Sequence, residues 1–295
     1  MAVALWFMLA WRPGADSVAT MLGWLVALAA AYAAAVLALT LCEFAISWAW
    51  RAPRVPAQRI GFAQTLRMIA NEYVTLLGSA PRMMTYRWRT GDPVAVAGAI
   101  PIVLVHGVLC NAGVWIPMLR RLRAAGIGPV FTISYGPPLH AIEQFVVQLD
   151  RRIDSALAAT GAAQVVIVAH SMGGLVARAS LSANGTTRVA RVVTIGTPHH
   201  GSGLARGFPG VCIAQMQPGS AWLAALPAPP PAPPIISLWS PHDSMVVPQT
   251  SSVLAGATNV AFPGIGHNAL LRDDAVHARV VVEIRAAQAR ASTTL

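Results

Sequence analysis

Val165-Val166-Ile167-Val168-Ala169-His170-Ser171-Met172-Gly173-Gly174 is the stretch on which the reading of this chain turns. Four β-branched residues lead through Ala169 and His170 into Ser171, and a helix-like segment, Gly174 to Leu181, follows at once. A nucleophilic serine on a sharp strand-to-helix turn needs small residues two positions to either side, because larger side chains collide across the turn. Ala169 and Gly173 meet that need. The turn also opens a helix, whose first amides face any oxyanion that develops beside the serine. A serine that merely caps a helix fits the same strand-to-helix pattern, but capping asks nothing of residue 169.

Such a serine requires a base, and the base an orienting acid. On a strand–elbow–helix scaffold the chain order is serine, acid, histidine. Between Ser171 and His267 the only acidic residue is Asp243, in the loop Ser240-Pro241-His242-Asp243-Ser244 after an apolar run. His267 lies in Gly264-Ile265-Gly266-His267-Asn268, a glycine-rich loop from which an imidazole can reach a site. Alone, Asp243 reads as well as a turn cap; in order with the other two it reads as the acid of a triad. A second loop supports this. Val103-Leu104-Val105 runs into His106-Gly107-Val108-Leu109, where Gly107 allows close approach to the serine. Val108 and Met172 are then the expected backbone donors to an oxyanion. His106, Gly107, Leu109 and His170 flank them as the expected substrate-side residues, with His106 better suited to hydrogen bonding than to acting as a base.

Working outward, the chain alternates. Ile100–Val105, Val130–Ser134, Val165–Val168, Val189–Ile195, Ile235–Leu238 and Asn259–Phe262 read as strands. Ala141–Ala159, Gly174–Leu181 and Ala269–Ala289 read as helices between and after them. Short continuous apolar strands separated by helices imply an α/β fold, a mostly parallel sheet with helices on both faces. Residues 227–234 hold six prolines and read as a stiff connector. Residues 201–226 read equally as a small apolar cap over an acyl pocket or as one ordinary packing helix. His199 and His200 stand without a neighbouring Cys, Asp or Glu, so they read as the rim or support of a loop and not as metal ligands.

Ahead of this region, Ser17 to Cys42 is 26 residues without a charge. At about 1.5 Å per residue, a helix of that length exceeds the roughly 30 Å hydrocarbon core of a bilayer. It is too long for the apolar stretch of a signal peptide, and the first eleven residues carry no basic side chain. Trp48, Trp50 and Arg51 after it suit an interfacial anchor, and Ala2–Trp11, too short to span, suits the interface. The expected organisation is an anchor at 1–50 with its transmembrane helix at 17–42, a linker and connecting helix at 51–92, and a catalytic domain at 93–295. Arg51, Arg54, Arg59 and Arg67 follow the helix against Arg12 before it, which favours a cytoplasmic catalytic domain.

Composition agrees. Of 295 residues, 55% are hydrophobic and 11% charged, against about 25% charged in an ordinary soluble domain. That excludes a disordered chain, and three cysteines exclude a disulfide-stapled scaffold. All 21 basic residues are arginine, and with eleven acids the net charge is +10. The arginines are scattered, without interleaved aromatics, so no nucleic-acid partner is expected.

The residues Val105-His106-Gly107, Ala169 through Gly173, Gly196-Thr197-Pro198-His199-His200-Gly201, Asp243 and Gly266-His267 resemble the α/β-hydrolase superfamily, and within it the bacterial lipase-like serine esterases. The resemblance covers roughly residues 100–271, and Ala169 stands where the family usually has glycine. It implies an α/β-hydrolase fold behind an N-terminal transmembrane helix, and cleavage of carboxylic or acylglycerol esters by Ser171, Asp243 and His267. It implies no cofactor, and no metal, since the acids of a lipase calcium site have no counterparts. It leaves acyltransferase or thioesterase chemistry on the same triad as an alternative, and a non-catalytic binding protein as another. The resulting expectation is a single-pass protein of the bacterial inner membrane whose partners are that membrane and an ester or lipid substrate. A Cys110–Cys212 disulfide would require the cap to fold over the oxyanion loop, and a cytoplasmic setting disfavours it.

Overall fold

The computed structural model describes residues 15–228 and 230–293; Ala2–Trp11 and Arg12 lie outside them. Six strands form one sheet: β1 (Ile102–Val105), β2 (Val130–Thr132), β3 (Val165–His170), β4 (Val189–Ile195), β5 (Ile235–Trp239) and β6 (Thr258–Ala261). Their order is β2-β1-β3-β4-β5-β6, and every pair is parallel. The central strands are apolar without alternation because both faces are covered. In β3, Val165, Ile167 and Ala169 enter one core with α5 (Ile142–Thr160) and α6 (Met172–Asn184). Val166 and Val168 enter the other, with α4 (Ile116–Ala124) and α9 (Asp274–Thr293).

The helices follow their sequence periods. Ile142, Phe145, Val146, Leu149, Ile153 and Ala156 form the buried stripe of α5, and the helix ends where Gly161 turns left-handed at φ 68° and its N–H bonds Leu157 O. The expected final helix differs at its start. Ala269–Leu271 is a separate 3₁₀ turn, and Asp273 Oδ1 then accepts the N–H groups of Ala275 and Val276 to open α9. Likewise β3 continues past Val168 to His170, because the elbow keeps its strand pairing up to the serine. Residues 201–226 contain α7 (Val211–Gln215) and α8 (Ala221–Ala225). Cys212, Ile213 and Met216 lie in the α5–α6 core, and Trp222 Nε1 donates to Glu143 Oε1 at 2.7 Å.

Ahead of the sheet, α1 (Ala15–Ala49) is one continuous helix, long and apolar enough to cross a membrane over Ser17–Ala49. Most of that apolar surface is uncovered by the chain, with Trp24 68% and Val26 69% exposed. Its last turns behave otherwise: Val36, Thr40, Glu43, Phe44 and Ser47 recur at helical spacing and are buried. Next come α2 (Phe62–Leu77) and α3 (Ser79–Met84). Tyr73 Oη donates to Ala33 O, and Tyr32 Oη to Leu77 O, holding α2 along α1.

Candidate active site

Parallel strands bring all their carboxyl ends to one edge, and the loops leaving that edge form a crevice. Gly107 follows β1, Ser171 follows β3, Gly196 follows β4, Asp243 comes after β5 and His267 after β6. The residues singled out from the sequence therefore converge at one edge.

Ser171 sits at φ 54°, ψ −128°, a conformation that side-chain-bearing residues seldom adopt. Three contacts hold it there. Its N–H bonds Ile195 O at 2.9 Å, Thr197 Oγ1 donates to its carbonyl at 2.9 Å, and the Gly174 N–H bonds the same carbonyl at 3.0 Å. The neighbouring turn leaves no spare room: a Cβ on Gly107 would lie 2.9 Å from Ser171 Cβ. Met172, the first residue of α6, is buried, and its amide belongs to the helix N-terminus. Val108 follows Gly107 at the rim, and Leu109 turns outward at φ 54° with 63% exposure.

His267 and Asp243 are directly bonded, Nδ1 to Oδ2 at 2.9 Å, and both are buried. The other carboxylate oxygen of Asp243 accepts the N–H groups of Met245 and Val246, each at 2.8 Å, which fixes its plane. With Nδ1–H engaged, the Nε2 of His267 carries the lone pair. Burial works against a charged imidazole here. The charge and hydrogen bond of Asp243, aided by Glu72 and Glu43, outweigh it and hold the His267 pKa above the ordinary value. Gly196, at φ 56°, makes room for the pair, since a Cβ there would lie 3.2 Å from both His267 Nδ1 and Asp243 Oδ2.

His170 connects serine and base. It precedes Ser171, its ring lies 4.7 Å from that of His267, and its Nε2 meets His267 O at 3.3 Å. Burial and the nearby imidazoles hold it neutral, well below the usual pKa. His106 is enclosed further back. Its ring stacks on Tyr135 at 4.0 Å, its Nδ1 meets Gly107 O at 2.7 Å, and its Nε2 accepts the Tyr135 N–H. Burial lowers its pKa to about 4. The ring thus braces the Gly107 turn from inside.

Of the histidine pair, His199 is buried, its Nε2 meeting Thr194 Oγ1 and its carbonyl accepting from Arg178, while exposed His200 meets Val253 O. Among the described residues, no group of three or more His, Cys, Asp and Glu is arranged to hold a metal. Cys42, Cys110 and Cys212 are free thiols.

Glu72 lies against the site without being among the residues the sequence singles out. It is the only acid between Glu43 and Asp92, on the buried face of α2 with Met68 and Thr75, and its carboxylate lies beneath the His267 loop. In the sequence it shows only as a solitary acid on an apolar helical face, with nothing to tell which loop it meets.

Residues 127–208, which include the elbow, match the PGAP1-like alpha/beta domain family. Over 161 residues the chain is 48% identical to a triacylglycerol lipase of Burkholderia plantarii. That match takes in 50% of this chain and 42% of the relative, so less than half of the relative's length is represented. Among solved structures, the mature Bacillus licheniformis lipase BlEst2 superposes with a TM-score of 0.58 at 20% identity, covering 66% of this chain and 96% of that one. Aspergillus fumigatus lipase B superposes at 0.56 and 17% identity, covering 66% and 55%. Likeness at such identities is likeness of fold. The chain has the α/β-hydrolase fold, matches the PGAP1-like alpha/beta domain across residues 127–208, and along 50% of its length is homologous to part of a triacylglycerol lipase.

Proposed function

We propose that this chain is a membrane-anchored carboxylic ester hydrolase acting on lipid-like esters. The observation that carries the reading is the strained serine of the β3–α6 elbow, one residue from an imidazole that packs on the Asp243-bonded His267. His267 Nε2 takes the proton of Ser171 Oγ, which attacks the ester carbonyl. The amides of Val108 and Met172 receive the oxyanion, and their work needs no particular side chain. His267 then protonates the departing alcohol, leaving an acyl group on Ser171. A water deprotonated by the same nitrogen releases the acid. Asp243 keeps Nδ1 protonated and stabilises the imidazolium in both halves. No cofactor takes part.

Leu109 offers an apolar wall at the mouth. Gly107 gives the substrate close access to the oxyanion amides, while His106 and His170 shape the site through the turns they brace. In this reading residues 93–295 form the catalytic unit. The α1 helix crosses the bacterial inner membrane once, with the catalytic unit on the cytoplasmic side where Arg51, Arg54, Arg59 and Arg67 follow it. The lipase homologue supports ester or acylglycerol substrates, and a helix apolar enough to cross a membrane, docked on the Asp243 loop, suits lipid-like ones. The test is a chain-length series of p-nitrophenyl esters on detergent-solubilised protein, with fluorophosphonate labelling. Turnover and labelling that vanish in Ser171→Ala support the reading; turnover unchanged in that variant refutes it.

A further inference from the structure

Glu72 comes from α2, within the stretch 51–92 that the sequence offers as a linker and connecting helix, and it is fully buried. Its carboxylate is aimed into the loop that carries His267. Oε1 accepts the Asn268 N–H at 2.8 Å, Asn268 Nδ2 at 2.9 Å and the Ser244 hydroxyl at 3.2 Å. Oε2 accepts the Ala269 N–H at 2.8 Å. Ser244 Oγ in turn lies 3.4 Å from the His267 N–H, so the network reaches the base residue itself. Gly266 admits the carboxylate, because a Cβ there would lie 2.5 Å from Glu72 Oε2.

Four donors converging on one carboxylate form a charge-assisted clamp. An apolar side chain of the same volume would fill the space without the cost of burying a charge, so the carboxylate's use lies in the loop it grips. We propose that Glu72 is a positioning residue for His267, fixing the loop 266–269 so that the imidazole stays between Asp243 and Ser171 and lending its charge to the imidazolium. This rests on the hydrolase reading above. The titratable groups facing His267 are Asp243 from the loop after β5, Glu72 from α2, Glu43 from α1 and His170 from β3. Asp243 remains in any Glu72 variant, so the base keeps its partner and loses only the second charge and the clamp. Burial pushes the Glu72 carboxyl up, while the Asn268 and Ala269 donors and His267 favour its ionised form.

The experiment follows kcat and KM against pH for the full-length protein in detergent micelles, with a short-chain p-nitrophenyl ester, for wild type, Glu72→Gln, Glu72→Ala and Ser171→Ala. In Glu72→Gln, kcat falls about tenfold while KM stays within twofold, and the acid limb moves to lower pH. In Glu72→Ala the loss deepens toward about a hundredfold, the scale on which small misplacements of a catalytic group act. A folded Glu72→Gln with wild-type kcat and an unmoved acid limb overturns the proposal. Failure of both variants to fold overturns it too, since Glu72 then holds the fold and not the base. An active Ser171→Ala would instead remove the hydrolase reading itself, whatever Glu72 does.

Discussion

Ser47 donates its hydroxyl to the main-chain carbonyl of Asp243 at 2.7 Å, across 196 positions of sequence. Gln249 Nε2 completes a three-way junction, bonding Ser47 Oγ at 2.8 Å and Asp243 O at 3.2 Å. Nearly a turn earlier, Phe44 is buried on the same face. The apolar helix is therefore docked on the acid loop and is not merely tethered to the domain.

Removing residues 1–50 should accordingly cost function as well as attachment. It uncovers the seat of Phe44 and leaves the Asp243 carbonyl and Gln249 with fewer partners. The expected result is a protein with a lower melting temperature and at least tenfold lower kcat in detergent. Ser47→Ala alone should cost about 1 kcal/mol, read by thermal melts at several protein concentrations. Full activity in the truncated protein would contradict the docking.

Gly173→Ala tests the small-residue requirement of the elbow. A Cβ there would stand 2.6 Å from the carbonyl oxygens of both Val105 and His106. Those atoms are backbone, so no rotamer change relieves the overlap. We expect destabilisation of about 1–3 kcal/mol, the usual range for overpacking, and a fall in kcat larger than any change in KM.

The pH profile should reflect the neighbours of His267. In the proposed mechanism His267 acts as the base when neutral, and its pKa is held above the ordinary 6.5, chiefly by Asp243 working against burial. Activity should therefore rise with pH through an acid limb that lies above 6.5. Asp243→Asn should move that limb downward and reduce kcat by roughly 10⁴-fold, the scale seen when a triad acid loses its charge. A profile flat between pH 5 and 8 would count against His267 as the base.

A fourth expectation concerns stability away from the site. Arg191 on β4 and Glu283 on α9 form an ion pair with both side chains buried, and Arg279 adds a second donor to Glu283. Glu283→Ala strands the Arg191 guanidinium beneath α9, at a cost of about 3–5 kcal/mol. Removing both partners together, as Arg191→Met with Glu283→Leu, should cost far less in a urea melt.

Much of the candidate site is legible because the chemistry proposed for it is local. Ser171 with Ala169 and Gly173, and Gly107 after β1, are defined by what stands within two residues of them. Asp243 was legible by scarcity, as the only acid between Ser171 and His267. The strands were legible because a doubly covered sheet demands unbroken apolar runs, while strand ends shifted by up to two residues where backbone pairing, not hydrophobicity, sets them. Glu72 and Ser47 were not legible as parts of the site: each lies on a helix before the domain, and neither helix's spacing reveals what its polar residue faces.

The amino-acid sequence by itself determined the alternation of strands and helices, the elbow, the ordered serine, acid and histidine, and an apolar helix long enough for a bilayer. Each follows from periodicity, steric need at a turn, or composition, all of which act over a few residues. Only the tertiary structure decided that the last turns of α1 lie against the Asp243 loop, that α2 carries a carboxylate under His267, and that His106 braces a turn. Those relationships join segments up to about two hundred residues apart. Packing of whole elements creates them, and no local pattern encodes which buried group a distant loop will meet.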